Sequence, residues 1–151
     1  LEDMGDSEAE AEISEVVGLV LCLTRLDPLA VVAKMIESVK SEPWRIRYIL
    51  RAIPVERVVP TDLEKISETA ASLALKMEAA DTFRITVEKR HSDMRSKEVI
   101  DKVASMIGNK VSLKQPDWIV LIEIVGKMTG ISVLRADQIF SAIIEKRAGG
   151  S

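Results

Sequence analysis

Five cations and the chain's single histidine fall within residues 83–97: Arg84, Lys89, Arg90, His91, Arg95 and Lys97, opposed only by Glu88 and Asp93. The stretch reads as a strand, a basic turn, and a helix that opens at Ser96. The first N–H groups of a helix lack internal partners, and its dipole is positive at that end. Cations gathered where a strand meets such a start suit phosphate, and with it an RNA backbone.

A second basic pattern lies upstream. Residues 44–52 alternate, with Trp44, Ile46, Tyr48 and Leu50 on one face and Arg45, Arg47, Ile49 and Arg51 on the other. The arginine face is open to two readings, a solvated sheet face or an RNA face. Lys110 and Lys114 add cations further along. The candidate RNA-binding set is therefore Arg45, Arg47, Arg51, Arg84, Lys89, Arg90, His91, Arg95, Lys97, Lys110 and Lys114.

Other chemistries find little support. One histidine allows no His-pair metal site. Cys22 sits in an apolar run and reads as a small core residue. Glu123 interrupts an apolar strand; it reads as an edge or solvent-facing position, or as the partner of a core base such as Lys110. A general base would need a second positioned group, and none is named by the sequence. No G-x-G-x-x-G occurs. No catalytic residue, metal or cofactor is expected. Trp44, Tyr48 and Trp118 sit on apolar faces and are expected in the core, which leaves recognition of RNA by backbone and shape.

Composition sets the frame for these residues. The chain has 151 residues, 47% hydrophobic and 30% charged, enough for one ordinary domain or two small ones with a real core. No apolar run approaches the roughly 20 residues that span a bilayer, so no membrane is expected. The acidic start is unlike a targeting signal, and a lone cysteine fits a reducing cytoplasm. The net charge of -3 hides an asymmetry: residues 1–15 hold seven acids and no base, leaving 21 bases against 17 acids in residues 16–151.

Periodicity supplies the elements that must position the cations. Residues 16–24 read as a strand buried on both faces. Asp27-Pro28 starts a helix with Leu29, Val32, Ala33, Ile36 and Val39 inward, which Ser41-Glu42-Pro43 stops. Residues 53–60 read as a connector held extended by two prolines. Thr61-Asp62-Leu63-Glu64 reads as a capping box before a helix that runs to about Ala80. Strand 83–89 and helix 96–107 follow. Then come a turn, the apolar strand 118–125, a hairpin at Gly126–Gly130, a returning strand and a short helix over 137–147. Strands interleaved with helices predict an α/β (α+β) fold.

Several separated segments resemble a THUMP domain. They are Arg51-Ala52-Ile53-Pro54-Val55, Phe83-Arg84-Ile85 with Lys89-Arg90-His91, and the run Lys110-Val111-Ser112-Leu113-Lys114-Gln115-Pro116-Asp117. Val120-Leu121-Ile122-Glu123-Ile124 and Ile131-Ser132-Val133 complete the pattern. Within the family the likeness is to stand-alone THUMP adaptors of tRNA cytidine acetylation. It implies a THUMP-like RNA-binding domain over 54–147, preceded by a short ferredoxin-like strand–helix–strand segment over 16–53. Residues 1–15 are expected as a disordered acidic leader and 148–151 as a flexible tail. The function implied is a non-catalytic one: docking tRNA, near its acceptor end, for a modifying enzyme such as a cytidine acetyltransferase. A protein–protein scaffold with only nonspecific RNA affinity is the alternative.

Overall fold

The structure is a computed structural model that describes residues 1, 4–14, 18–45, 49 and 51–141, with positions 13 and 45 described by backbone alone. In chain order the elements are β1 (Glu10–Ile13), β2 (Val20–Leu23), α1 (Pro28–Ser41), β3 (Arg51–Ala52), β4 (Arg57–Pro60) and α2 (Leu63–Leu73). They continue with β5 (Thr82–Arg90), α3 (Ser96–Met106), β6 (Lys110–Val111), β7 (Trp118–Val125), β8 (Met128–Leu134) and β9 (Phe140–Ser141). Mixed α/β is thus the fold class. Val55–Ala136 form one unit, and the described residues before and after it form the other.

The flanking unit has the expected strand–helix–strand order, β2–α1–β3. Asp27 caps α1 by accepting the Leu29 N–H at 3.1 Å, with Pro28 at the first helical position. Val32 and Val39 bury against Phe140, with Met35, Ile36 and Ala52 around them. β3 pairs antiparallel with β9, matching Ala52 to Phe140.

Several expectations for this unit need correction. The acidic leader holds a strand: β1 pairs antiparallel with β2, and Asp6 is buried. Its carboxylate accepts the Thr24 hydroxyl at 2.5 Å and the Arg25 and Glu8 N–H groups at 2.9 and 3.0 Å. Composition alone counted that carboxylate as a solvated charge. β2 is exposed at Val20, Leu21 and Leu23, and Cys22 is exposed as well. A two-stranded ribbon has no second layer on both sides, so an apolar run does not guarantee burial. Trp44, expected in the core, is 63% exposed on a 3-10 turn over Pro43–Arg45. A 3-10 turn at Ala136–Gln138 and β9 stand where a helix over 137–147 was expected, and residues 142–151 lie outside the described residues. Tyr48 lies outside them too.

The central unit is built on a five-stranded sheet of order β4-β8-β7-β5-β6. β5 pairs parallel with both β7 and β6, while β8 runs antiparallel to β7 and β4. The supposed connector is the edge strand β4; Pro60 is tolerated because it closes an edge. Asp62 is the cap of α2, accepting the Glu64 and Lys65 N–H groups, whereas the Thr61 hydroxyl pairs with that of Thr129 at 2.9 Å. α2 ends at Leu73 and continues as a 3-10 turn over Ala74–Lys76, short of Ala80.

α2 and α3 bury Ile66, Ala70, Val99 and Val103 against Phe83, Val120, Ile122, Ile124, Ile131 and Val133 of the sheet. The 3.6-residue stripes and the period-two strands thus meet on one sheet face. The Lys76 ammonium binds both Glu56 carboxylate oxygens, at 2.7 and 2.8 Å, and the Val133 carbonyl at 2.8 Å. Glu56 also accepts the Val133 N–H at 2.9 Å, so one carboxylate ties the start of the unit to β8 and to the end of α2.

Gly130 makes a close approach possible: a Cβ there would lie 2.8 Å from Val55 Cγ1. Gly130→Ala should therefore cost about 1–3 kcal/mol in urea unfolding. Val55→Ala in the same chain should recover part of that loss; a double variant no more stable than Gly130→Ala would show that the two sites do not clash.

Candidate nucleic-acid interface

Strand alternation decides where each cation of β5 points. Phe83, Ile85 and Val87 belong to the core beneath α2 and α3. Lys89 shares that face, is exposed, and its Nζ donates to the Met94 carbonyl at 3.0 Å in the loop before α3. Arg84 and Arg90 lie on the opposite face.

Arg90 is half-buried and pairs with Glu123 at 3.0 Å. Glu123 is therefore neither at an edge nor a partner of Lys110. The parallel register sets Glu123 beside Glu88, within reach of Arg90, and sets Lys110 beside Thr82 at the far end of β5. The pair lies within the sheet, so Arg90 has a structural partner before any ligand arrives.

His91 is exposed and has φ 56, a left-handed conformation that lets the chain leave the strand sharply. α3 then opens at Ser96, as expected. Arg95 occupies its cap position and makes no side-chain capping bond, and Lys97 is exposed in the first turn. The Gly126 N–H donates to the Arg90 carbonyl at 2.9 Å, which brings the two-residue turn Gly126-Lys127 alongside His91. Gly126 has φ 58, a region glycine enters without penalty. Exposed Lys127 thus joins Lys89, His91, Arg95 and Lys97 at one end of the sheet. Sequence reading missed it. The hairpin was legible, but the pairing of β5 with β7 that carries the turn to His91 was not.

Within the central unit, the other candidates lie toward the opposite end of the sheet. Arg84 and Lys89 are five residues apart, about 17 Å along a strand. Arg84 donates to the Leu113 carbonyl at 3.2 Å, and exposed Lys110 and Lys114 share its end of the sheet. Arg51 is exposed on β3, in the other unit. Arg47 and the side chain of Arg45 lie outside the described residues.

Between Arg84 and the sheet end runs a polar lattice. Asp117 accepts the Thr82 N–H at 2.8 Å. Asp81 accepts the Trp118 indole N–H at 2.9 Å and the Glu78 N–H at 2.9 Å. Arg135 lies over the Trp118 ring, 4.2 Å from its centroid. Trp118 is thus partly buried and held on face and edge. The Trp118 indole, then the Glu78 N–H, hold the Asp81 carboxyl below the ordinary aspartate value of 3.8, against partial desolvation.

Among the described residues no cluster of three or more His, Cys, Asp or Glu could hold a metal, and no helix is long and apolar enough to cross a membrane.

Comparison with known families accounts for this sheet and its two helices. Residues 60–134 match the family model of the THUMP domain. The chain carries a THUMP domain. It is 28% identical over 125 residues to THUMP domain-containing protein 1 of Bos taurus, an alignment covering 76% of this chain and 35% of that protein. To the Mus musculus protein of the same name it is 30% identical over 105 residues, covering 64% and 30%. The chain thus spans about a third of the length of these relatives. The crystal structure of PH1313 from Pyrococcus horikoshii is similar in fold, with a TM-score of 0.64, 22% identity, and coverage of 85% of this chain and 43% of that one.

The THUMP domain contains Arg84, Lys89, Arg90, His91, Arg95, Lys97, Lys110, Lys114 and Lys127, while Arg45, Arg47 and Arg51 fall before it. Its polar lattice should respond to acid. A folded value depressed below the unfolded one contributes stability above about pH 4, lost as pH falls through the folded value. The stability gap between the native chain and Asp81→Asn should therefore be widest at neutral pH and close toward pH 3. A gap that stays constant in denaturant titrations across that range would remove the Asp81 contribution.

Proposed function

We propose that this chain binds tRNA through its THUMP domain and presents it to a modifying enzyme, acting as a non-catalytic accessory protein of the cytoplasm. The domain match carries the reading, because THUMP domains are associated with RNA binding and tRNA modification. The geometry adds to it: Lys89, His91, Arg95, Lys97 and Lys127 are exposed together around a helix start that has no side-chain cap. Such a start offers N–H donors to phosphate oxygens, and the surrounding cations supply the long-range attraction. Within this reading the enzyme served is a cytidine acetyltransferase and the tRNA region is the acceptor end, both following from the resemblance to stand-alone THUMP adaptors. Arg84, Lys110 and Lys114 would contact phosphates further along the strand. Arg90 would act from within the sheet by holding the turn that carries His91.

Fluorescence anisotropy with intact tRNA, and with tRNA lacking its single-stranded 3′ end, tests the reading across a salt series. Binding should weaken when the end is removed. Replacing Arg95 and Lys97 with Ala should lower the log–log salt slope by about two without loss of stability. Arg90→Ala should instead lower stability by about 2 kcal/mol, since it removes the 3.0 Å ion pair with the buried Glu123 carboxylate. Equal, weak, steeply salt-dependent binding to both RNAs would favour a protein scaffold. If binding holds, cytidine acetylation reconstituted with the acetyltransferase should require the chain; acetylation that proceeds equally without it would exclude the adaptor role.

A further inference from the structure

One edge of the THUMP sheet sets bare apolar side chains among cations. β6 is the last strand on that side of the five-stranded sheet. Its backbone is tied to β5: Lys110 and Val111 stand beside Thr82 and Phe83, and the Ser112 N–H donates to the Phe83 carbonyl at 2.9 Å. Even so, Val111 is 48% exposed and Leu113 69% exposed. Apolar side chains on an anchored backbone can be covered by a ligand with little ordering of the chain, so the gain from removing them from water is kept.

The charge around these two side chains has one sign. Lys110 and Lys114 bracket them in the chain, and both are exposed. Arg84, exposed on β5, donates to the Leu113 carbonyl at 3.2 Å, which brings a third cation against the segment. A guanidinium has donors to spare after one such bond. Residues 108–116 contain no acid. Asp81 and Asp117 stand at this end of the sheet, and their carboxylates already accept protein donors. Asp81 takes the Trp118 indole and Glu78 N–H groups, and Asp117 takes the Thr82 N–H and hydroxyl.

Cations alone would suit any phosphate backbone. Leu and Val set between them suit a base face as well. In a duplex the base faces are stacked on one another and hidden, whereas an unpaired nucleotide offers its face beside its own phosphate. We propose that this strip takes a short unpaired run of RNA, with bases packed on Val111 and Leu113 and phosphates on Lys110, Lys114 and Arg84. The proposal rests on the tRNA-binding reading and adds to it a single-strand subsite, toward the opposite end of β5 from His91.

Methyl and amide NMR of the whole chain tests this with intact tRNA, a short single-stranded RNA and a blunt-ended RNA hairpin. The single strand should move the Val111 and Leu113 methyl signals upfield, through the ring current of a base packed on them. The blunt hairpin should leave those methyls in place. Leu113→Ser, at an exposed position, should weaken single-strand binding about fivefold, with the salt slope unchanged because no phosphate contact is lost. Lys110→Ala combined with Lys114→Ala should instead lower that slope by about 1.4. Methyl shifts equal for hairpin and single strand would overturn the proposal, as would a Leu113→Ser chain that binds the single strand like the native one. Binding of intact tRNA with shifts confined to the His91 and Lys97 amides would overturn the strip and leave the tRNA reading standing. No binding to any of the RNAs would overturn both. Methyl shifts that grow with protein concentration in the absence of RNA would assign the strip to a second copy of the chain and overturn the proposal as well.

Discussion

The parallel pairing of β5 with β7 fixes more of the THUMP domain than any other contact, because eight consecutive residues of each strand stand side by side from Phe83 and Trp118 to Arg90 and Val125. Parallel neighbours cannot be joined by a tight turn, so the chain must cross over, and α3 with β6 supplies that crossing. The crossover puts the start of α3 at the end of the sheet where β5 finishes. It returns at the other end, where Asp117 ties to Thr82 and Trp118 to Asp81. The register therefore creates two chemically different ends: an exposed basic one at His91 and Lys127, and a polar lattice at Asp81 and Arg135.

Placement separates the cations into those with a structural partner and those open to solvent. Lys76 and Arg90 each meet a carboxylate that is mostly shielded from water, where solvent and salt screen the attraction little. Lys97 and Lys127, exposed, can lend their charge to a ligand. A count of bases treats these alike, yet the first kind contributes to the fold and the second to the field around it.

Aromatic residues show the same division. Trp118 joins the core through its ring and the lattice through its indole N–H, so its orientation is fixed from two sides. Trp44 came from a similar apolar alternation and stands exposed beside a 3-10 turn. The two differ in what lies opposite: Trp118 faces helices across a five-stranded sheet, while Trp44 sits at the end of one helix.

The α/β class, the cap and start of α1, the inward stripes of α2 and α3, and the opening of α3 after a basic turn were all legible in the amino-acid pattern. All of these are local: they depend on periods of two and 3.6 residues and on caps a few residues away. The resemblance to a THUMP domain was legible because its motifs are local segments in a set order. Tertiary structure alone decided that Glu123 answers Arg90, that Lys127 joins the basic end while Arg84 leaves it, and that β4 is a sheet edge. It likewise decided that β2 stays exposed and that Asp6 is held by Thr24 and Arg25. Each of these depends on residues many positions apart being brought together by strand register. An amino-acid pattern states which face a side chain takes, but not which strand will lie across from it.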